Sequence, residues 1–167
     1  MRGRDRAAGG PAMIDEMTLA HEPFFSGTPR RALARIASTA RPAAFPDGHR
    51  LFDEGGAADR FWILQEGAVV IDLQVPGRGA VVIETLGPGD VLGWSWLHAP
   101  YRWRFGACAR TPVRAIEFDA PLLRALCAVD PAMAYELSRR FTEIIVDRLQ
   151  ATRMRLPDLY AHPAEQR

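Results

Sequence analysis

Residues 45–119 are a succession of short runs rich in β-branched and aromatic side chains, and this constrains the fold more than any other feature. FWIL at 61–64, AVVIDLQV at 68–75, AVVIETL at 80–86, DVLG at 90–93 and VRAIEF at 113–118 are separated by Gly, Pro and Asp turns. Runs of this length and composition between turn formers read as strands, and their regular spacing predicts a β-sandwich or barrel. PGRG at 76–79 reads as a hairpin loop with glycines available for positive φ. Gly67, after Gln65 and Glu66, marks a second sharp turn between strands.

The flanks follow a helical period. Thr28 is placed to cap a helix that Pro29 begins, with Leu33, Ile36 and Ala37 on its apolar side and an end near Ala40, before Pro42. After Asp119, residues 121–128 predict a short helix. Asp130 and Pro131 then open a second one that runs to about Arg155, where Pro157 stops it. Its apolar face carries Met133, Leu137, Phe141, Ile144, Ile145 and Leu149, and Glu136 precedes Arg140 in the favourable i, i+4 order. Residues 1–12 are rich in Arg, Gly and Ala without apolar periodicity and read as a disordered tail.

A chain of 167 residues suits one domain with a real core. A formal net charge of +1 exerts no general pull toward nucleic acid or acidic membranes. All 21 basic residues are arginine, so any anion bound by a side chain meets a guanidinium or a histidine. Cys108 and Cys127 lack the spacing of a zinc site or a disulfide framework, and no apolar run approaches the roughly 20 residues that span a bilayer. A cytoplasmic protein with no membrane association is expected.

The order helix, short strands, two helices, together with particular glycines, resembles the cyclic nucleotide-binding domain of catabolite-activator-type regulators over residues 24–155. Gly48, Glu54, Gly55, Asp59, Phe61, Leu64, Glu66 and Gly67 stand where the family pattern wants them, and LGPGDVLG at 86–93 is similar to the strand leading into its phosphate-binding cassette. The resemblance implies an eight-stranded β jelly roll with a short N-terminal helix and two C-terminal helices. It sets residues 1–23 as a disordered N-terminal extension and 24–156 as the domain, with the jelly roll at about 42–119 and the helices at about 120–156. Residues 157–167 are left as a tail.

The same resemblance locates a ligand site. After the glycine matching Gly93 the family places a glutamate for the ribose hydroxyl and a short helix whose N–H groups face the cyclic phosphate. The glutamate position is Trp94 here. The family's arginine falls, by counting back from Arg110, at Trp103, between Arg102 and Arg104. A shift of one residue in a strand turns a side chain to the other face, unless the loop around Pro100 is irregular. The candidate ligand-binding set is Leu92, Gly93, Trp94, Ser95, Trp96, Arg102, Trp103, Arg104 and Phe105, with backbone N–H groups after Gly93 and Ser95 on phosphate and Arg104 or Arg102 assisting. The ring cluster of Trp94, Trp96, Tyr101, Trp103 and Phe105 divides between core and pocket wall or interface. In the family the long helix closes over the base or pairs with its twin. Leu137, Phe141, Ile144, Ile145 and Leu149 are thus a lid, a homodimer seam, or a face docked on the same sandwich.

These readings favour a stand-alone, non-catalytic sensor in which a small-molecule ligand, cyclic AMP or cyclic GMP, is coupled to movement of the C-terminal helices. The alternative is a domain that binds no cyclic nucleotide and serves as a protein-interaction or dimerisation subunit through its tryptophan-rich cassette and long helix. DNA binding is not expected, since LPDLYAHPAEQR cannot form a recognition helix. His21, His49, His98 and His162 share no metal-ligand spacing, and Ser95 in GWSWL does not sit in a nucleophile elbow, so neither a metal nor an enzyme is expected.

Overall fold

Alternation along residues 61–64 builds two different faces from one strand. The computed structural model describes residues 13–160. In it, eight strands form two antiparallel four-stranded sheets. The first has the order β1 (Ala40–Phe45), β8 (Val113–Asp119), β3 (Arg60–Glu66), β6 (Val91–Leu92). The second has the order β2 (Arg50–Phe52), β7 (Gly106–Ala109), β4 (Val69–Val75), β5 (Gly79–Leu86). This is the expected eight-stranded jelly roll. The five runs picked out in the sequence are β3, β4, β5, β6 and β8. Strands β1, β2 and β7 carry weaker signals, and ARPAAF even holds a proline. Pro42 is tolerated because β1 lies at the edge of its sheet, where a missing N–H costs least.

On β3, Phe61 pairs with Phe118 and Trp62 with Glu117 across β8. The Phe61 and Phe118 rings stack at 4.4 Å and 2° interplanar angle, Trp96 continues the stack 5.2 Å from Phe61, and Phe25 meets Phe118 at 5.9 Å. The opposite face carries Trp62, whose ring lies 5.7 Å from that of Phe52 in the second sheet. Trp62 therefore faces the space between the sheets and Phe61 faces away from it. Such ring pairs add about 0.5–1.5 kcal/mol each beyond their area.

Gly67 links β3 to β4 with φ +87°, and a Cβ there would overlap the Pro112 carbonyl oxygen and lie 2.9 Å from Thr111 Oγ1. Glycine is required at this corner on both counts. The hairpin at residues 76–78 joins β4 to β5 as the PGRG sequence predicts.

The N-terminal helices depart from expectation. Residues 1–12 lie outside the described residues, but α1 (Glu16–Ala20) falls within what the sequence sets aside as a disordered extension, and a 3-10 turn (Pro23–Phe25) straddles its boundary with the domain. Asp15 caps α1 by accepting from the Thr18 N–H at 2.7 Å, and Leu19 and Phe25 are buried. Three apolar anchors in so short a stretch, Leu19, Phe24 and Phe25, order it despite its lack of periodicity. Helix α2 (Arg30–Ala37) begins one residue later than expected. Its N-cap is Pro29, and the Thr28 hydroxyl, buried, caps nothing. It ends at Ala37, three residues short of Ala40, because β1 pairing with β8 takes Ala40.

Helix α3 (Ala120–Val129) is capped by Asp119, which accepts from the Leu122 N–H at 2.8 Å, and buries Ala120 and Leu123 against β3 and β8. The chain from Asp130 onward is a separate unit consisting of α4 (Pro131–Tyr160). Asp130 caps it through the Met133 N–H at 3.1 Å. Glu136 accepts from Arg139 at 2.9 Å and from Arg140 at 2.7 Å, and Arg139 also pairs with Glu143. The helix does not stop at Pro157. A proline takes only its own N–H out of the backbone ladder, and the helix continues three residues beyond it. The remainder of the expected tail, residues 161–167, lies outside the described residues.

Candidate functional site

Between β6 and β7 the chain leaves regular structure, and Gly93 decides how. Its φ of +93° is open to glycine, and it caps a 3-10 turn, Trp94–Leu97. An added Cβ would sit 3.0 Å from Cζ3 and 3.1 Å from Cη2 of Trp103, and 3.4 Å from the Arg60 carbonyl oxygen. The Trp103 indole thus lies directly against the glycine that opens the cassette.

Trp103 is held by main chain and by rings. Its N–H donates to Gly56 O and its carbonyl accepts from the Gly55 N–H, both at 2.8 Å, while Tyr101 O accepts from Ala58 N–H at 2.7 Å. Its ring stacks on Phe52 at 4.0 Å and 17°, with Trp62 6.0 Å away, and the side chain is 5% exposed. Phe52, Trp62 and Trp103 form one nearly parallel aromatic cluster facing the inter-sheet space.

The polar partner of that cluster is Glu117. Trp62 Nε1 donates to its Oε2 at 2.8 Å, and Arg41 and Arg60 both donate to Oε1. Leu92, Trp62, Glu117 and Arg41 form one row in register across β6, β3, β8 and β1. Burial pushes the Glu117 carboxyl up, but the hydrogen bonds from Trp62, Arg41 and Arg60 outweigh it and hold it below the ordinary glutamate range. Across the second sheet, Arg50 of β2 pairs with the buried Asp72 of β4, beside Gly106 at the head of β7, Nη2 donating to Oδ1 at 2.8 Å. Its own guanidinium is pushed up chiefly by that hydrogen bond.

The expected ligand set is divided by the tertiary structure. Leu92, Gly93 and Trp103 come together. Ser95 and Trp96 are buried, and Trp96 belongs to the Phe61 stack on the outer face, away from the Trp103 cluster. Trp94 and Phe105 are half-buried, and Tyr101 is exposed. Arg102 is committed to the Gly55 carbonyl, to which its Nη1 donates at 2.8 Å. Arg104 is exposed, and among the described residues its guanidinium has no hydrogen-bond or ionic partner. On α4, Leu137, Phe141, Ile144 and Ile145 fall on one face at helical spacing and Leu149 is half exposed.

One residue that contacts the cassette lies outside any motif in the sequence. Arg124 of α3 donates from Nη1 to the Trp96 carbonyl at 2.9 Å and lies over the Tyr101 ring, so a single guanidinium touches both ends of the residue 96–101 loop. Tyr101 itself has φ +54°, a left-handed conformation that supports the irregular loop expected around Pro100. Glu117 did leave a trace in the sequence, as a carboxylate inside the apolar run VRAIEF. Among the described residues no group of three or more His, Cys, Asp or Glu side chains is placed to hold a metal ion, both cysteines are free, and no helix is long and apolar enough to cross a membrane.

An eight-stranded jelly roll with C-terminal helices and a glycine-opened 3-10 turn between β6 and β7 defines a regulatory domain of the cyclic nucleotide-binding class. Residues 42–130 match the cyclic nucleotide-binding domain family, and the chain belongs to that family. It is 32% identical over 146 residues to the CRP-like cAMP-activated global transcriptional regulator of Mycobacterium tuberculosis (strain ATCC 25618 / H37Rv), covering 87% of this chain and 63% of that protein. The chain thus spans less than two thirds of that relative's length. A crystal structure of a protein from Geobacter metallireducens GS-15 superposes with TM-score 0.75 at 27% identity, covering 82% of this chain and 99% of that one. The regulatory domain of Toxoplasma gondii PKA, crystallised with cAMP, shares the fold at TM-score 0.63 and 19% identity, over 77% of this chain and 48% of that one.

Proposed function

We propose that this chain is a non-catalytic regulatory domain that binds a cyclic nucleotide, cyclic AMP or cyclic GMP, at its cassette and transmits occupancy to its C-terminal helices. The observation that carries the reading is Gly93, whose left-handed φ opens the 3-10 turn Trp94–Leu97 inside the family-matched region. The first N–H groups of such a turn have no intrahelical partner and suit an anion. Arg104 is the side-chain partner of the phosphate, because its guanidinium is uncommitted whereas that of Arg102 already serves Gly55. The name of the Mycobacterium tuberculosis relative supports cyclic AMP as the first ligand to test. Transmission begins at Arg124, which ties the cassette to α3, and α3 runs into α4. A ligand moves the helices only to the extent that it binds one arrangement better than the other.

Calorimetry with cyclic AMP and cyclic GMP tests the reading. Arg104→Ala is expected to weaken binding about tenfold or more, since a charge-assisted hydrogen bond is worth about 1.5–3 kcal/mol. Arg102→Ala is expected to do less. The absence of heat at millimolar ligand, from wild type and from variants at Trp103 alike, overturns the reading and leaves the domain as an interaction or dimerisation subunit, to be sought by co-purification and mass spectrometry.

A further inference from the structure

The ring in front of Gly93 belongs to the protein. It is a fused five- and six-membered system, the same shape and size as a purine. Phe52 covers one face at 4.0 Å, Trp62 flanks it, and two glycines make room at its edges: a Cβ at Gly93 would lie 3.0 Å from Cζ3, and one at Gly56 would lie 3.3 Å from Cδ1. The next residue, Arg104, is exposed and uncommitted. The chain bends at residues 104 and 105, directly after the buried ring, so ring in and guanidinium out belong to one local conformation of this irregular segment. The main chain of residue 103 is held to the neighbouring loop by two hydrogen bonds, with Gly55 and Gly56.

We propose that the space bounded by Phe52, Trp62, Gly56 and Gly93 is a slot for a flat bicyclic base of the purine class, and that Trp103 occupies it as an internal competitor until a ligand displaces it. The proposal rests on the cyclic-nucleotide reading above. Entry of the ligand exchanges the indole for the base and turns Arg104 toward the phosphate. Binding is then weakened by the fraction of molecules in which the slot is filled from within.

Calorimetry on wild type, Trp103→Ala and Trp103→Phe tests this with cyclic AMP, cyclic GMP and cyclic CMP. Trp103→Ala is expected to bind a purine cyclic nucleotide at least tenfold tighter than wild type, Trp103→Phe by an intermediate factor, and cyclic CMP at least tenfold more weakly than the purine ligand. Indole or benzimidazole is expected to raise the Tm of Trp103→Ala and leave that of wild type unchanged. Where Trp103→Ala fails to fold, Trp103→Phe keeps most of the packing, and no gain in its affinity overturns the proposal. Equal or weaker binding by both variants, with Arg104→Ala still damaging, makes Trp103 a wall, and the cyclic-nucleotide function survives. Equal affinity for cyclic CMP rejects the bicyclic slot alone. No binding by any of the three proteins overturns this proposal and the function together.

Discussion

The Arg124 guanidinium carbon lies 4.3 Å from the centroid of the Tyr101 ring, and Nη1 of the same group donates to the Trp96 carbonyl at 2.9 Å. One side chain on α3 thereby closes a loop that begins in a buried 3-10 turn and ends in a left-handed residue.

Arg124→Ala removes a cation–π contact and a charged hydrogen bond, together worth about 1–3 kcal/mol at a half-buried site. Urea denaturation is expected to show a loss in that range. Hydrogen exchange in residues 94–101 is expected to accelerate more than in β3 or β8, because the substitution frees the loop and not the sheet. Uniform acceleration throughout residues 40–129 contradicts the role assigned to Arg124.

Glu117 gives the protein an acid sensitivity of definite sign. Its folded-state pKa is depressed, so its contribution to stability is complete above the unfolded value, close to the ordinary 4.5, and is lost as pH falls through the lower folded value. Wild type is expected to lose stability steadily below about that pH, with Trp62 reporting the change in emission. Glu117→Gln is expected to be less stable at neutral pH, where Arg41 and Arg60 lose their carboxylate, and to show a flatter stability curve in acid. An unchanged acid limb removes Glu117 from the account.

Gly67 and Gly77 separate conformational strain from steric overlap. Both have positive φ, +87° and +78°, but a Cβ at Gly77 meets nothing within 4 Å whereas one at Gly67 overlaps Pro112 O. Gly77→Ala is expected to cost about 1 kcal/mol, the left-handed penalty alone. Gly67→Ala is expected to cost at least about twice that, read as a larger fall in Tm. Equal costs imply that the β3–β4 corner relaxes freely.

Much of the fold was legible because strand signals are local. The runs at 61–64, 68–75, 80–86, 90–93 and 113–118 carry their own period and turn residues, and all five are strands. Strands β1, β2 and β7 were faint because ARPAAF, RLF and GACA owe their extended state to partners: β8 fixes β1, and β4 holds β7, which in turn pairs with β2. Helix limits slipped for the same reason, with Ala40 claimed by a strand and Thr28 buried without capping.

The site divides along that line. The sequence by itself determined that LGPGDVLG at 86–93 resembles the strand leading into the family's cassette, that no glutamate follows Gly93, that Trp103 is flanked by two arginines, and that five rings crowd residues 94–105. The first two rest on the resemblance to the family, the others on composition and spacing. Only the tertiary structure decided that Trp96 and Trp103 serve opposite faces, that Arg102 is spent on Gly55, that Glu117 gathers Trp62, Arg41 and Arg60, and that Arg124 reaches the loop from 20 or more residues away. The physical reason is that side-chain direction and partner choice depend on register between strands distant in sequence, a quantity that no single segment encodes.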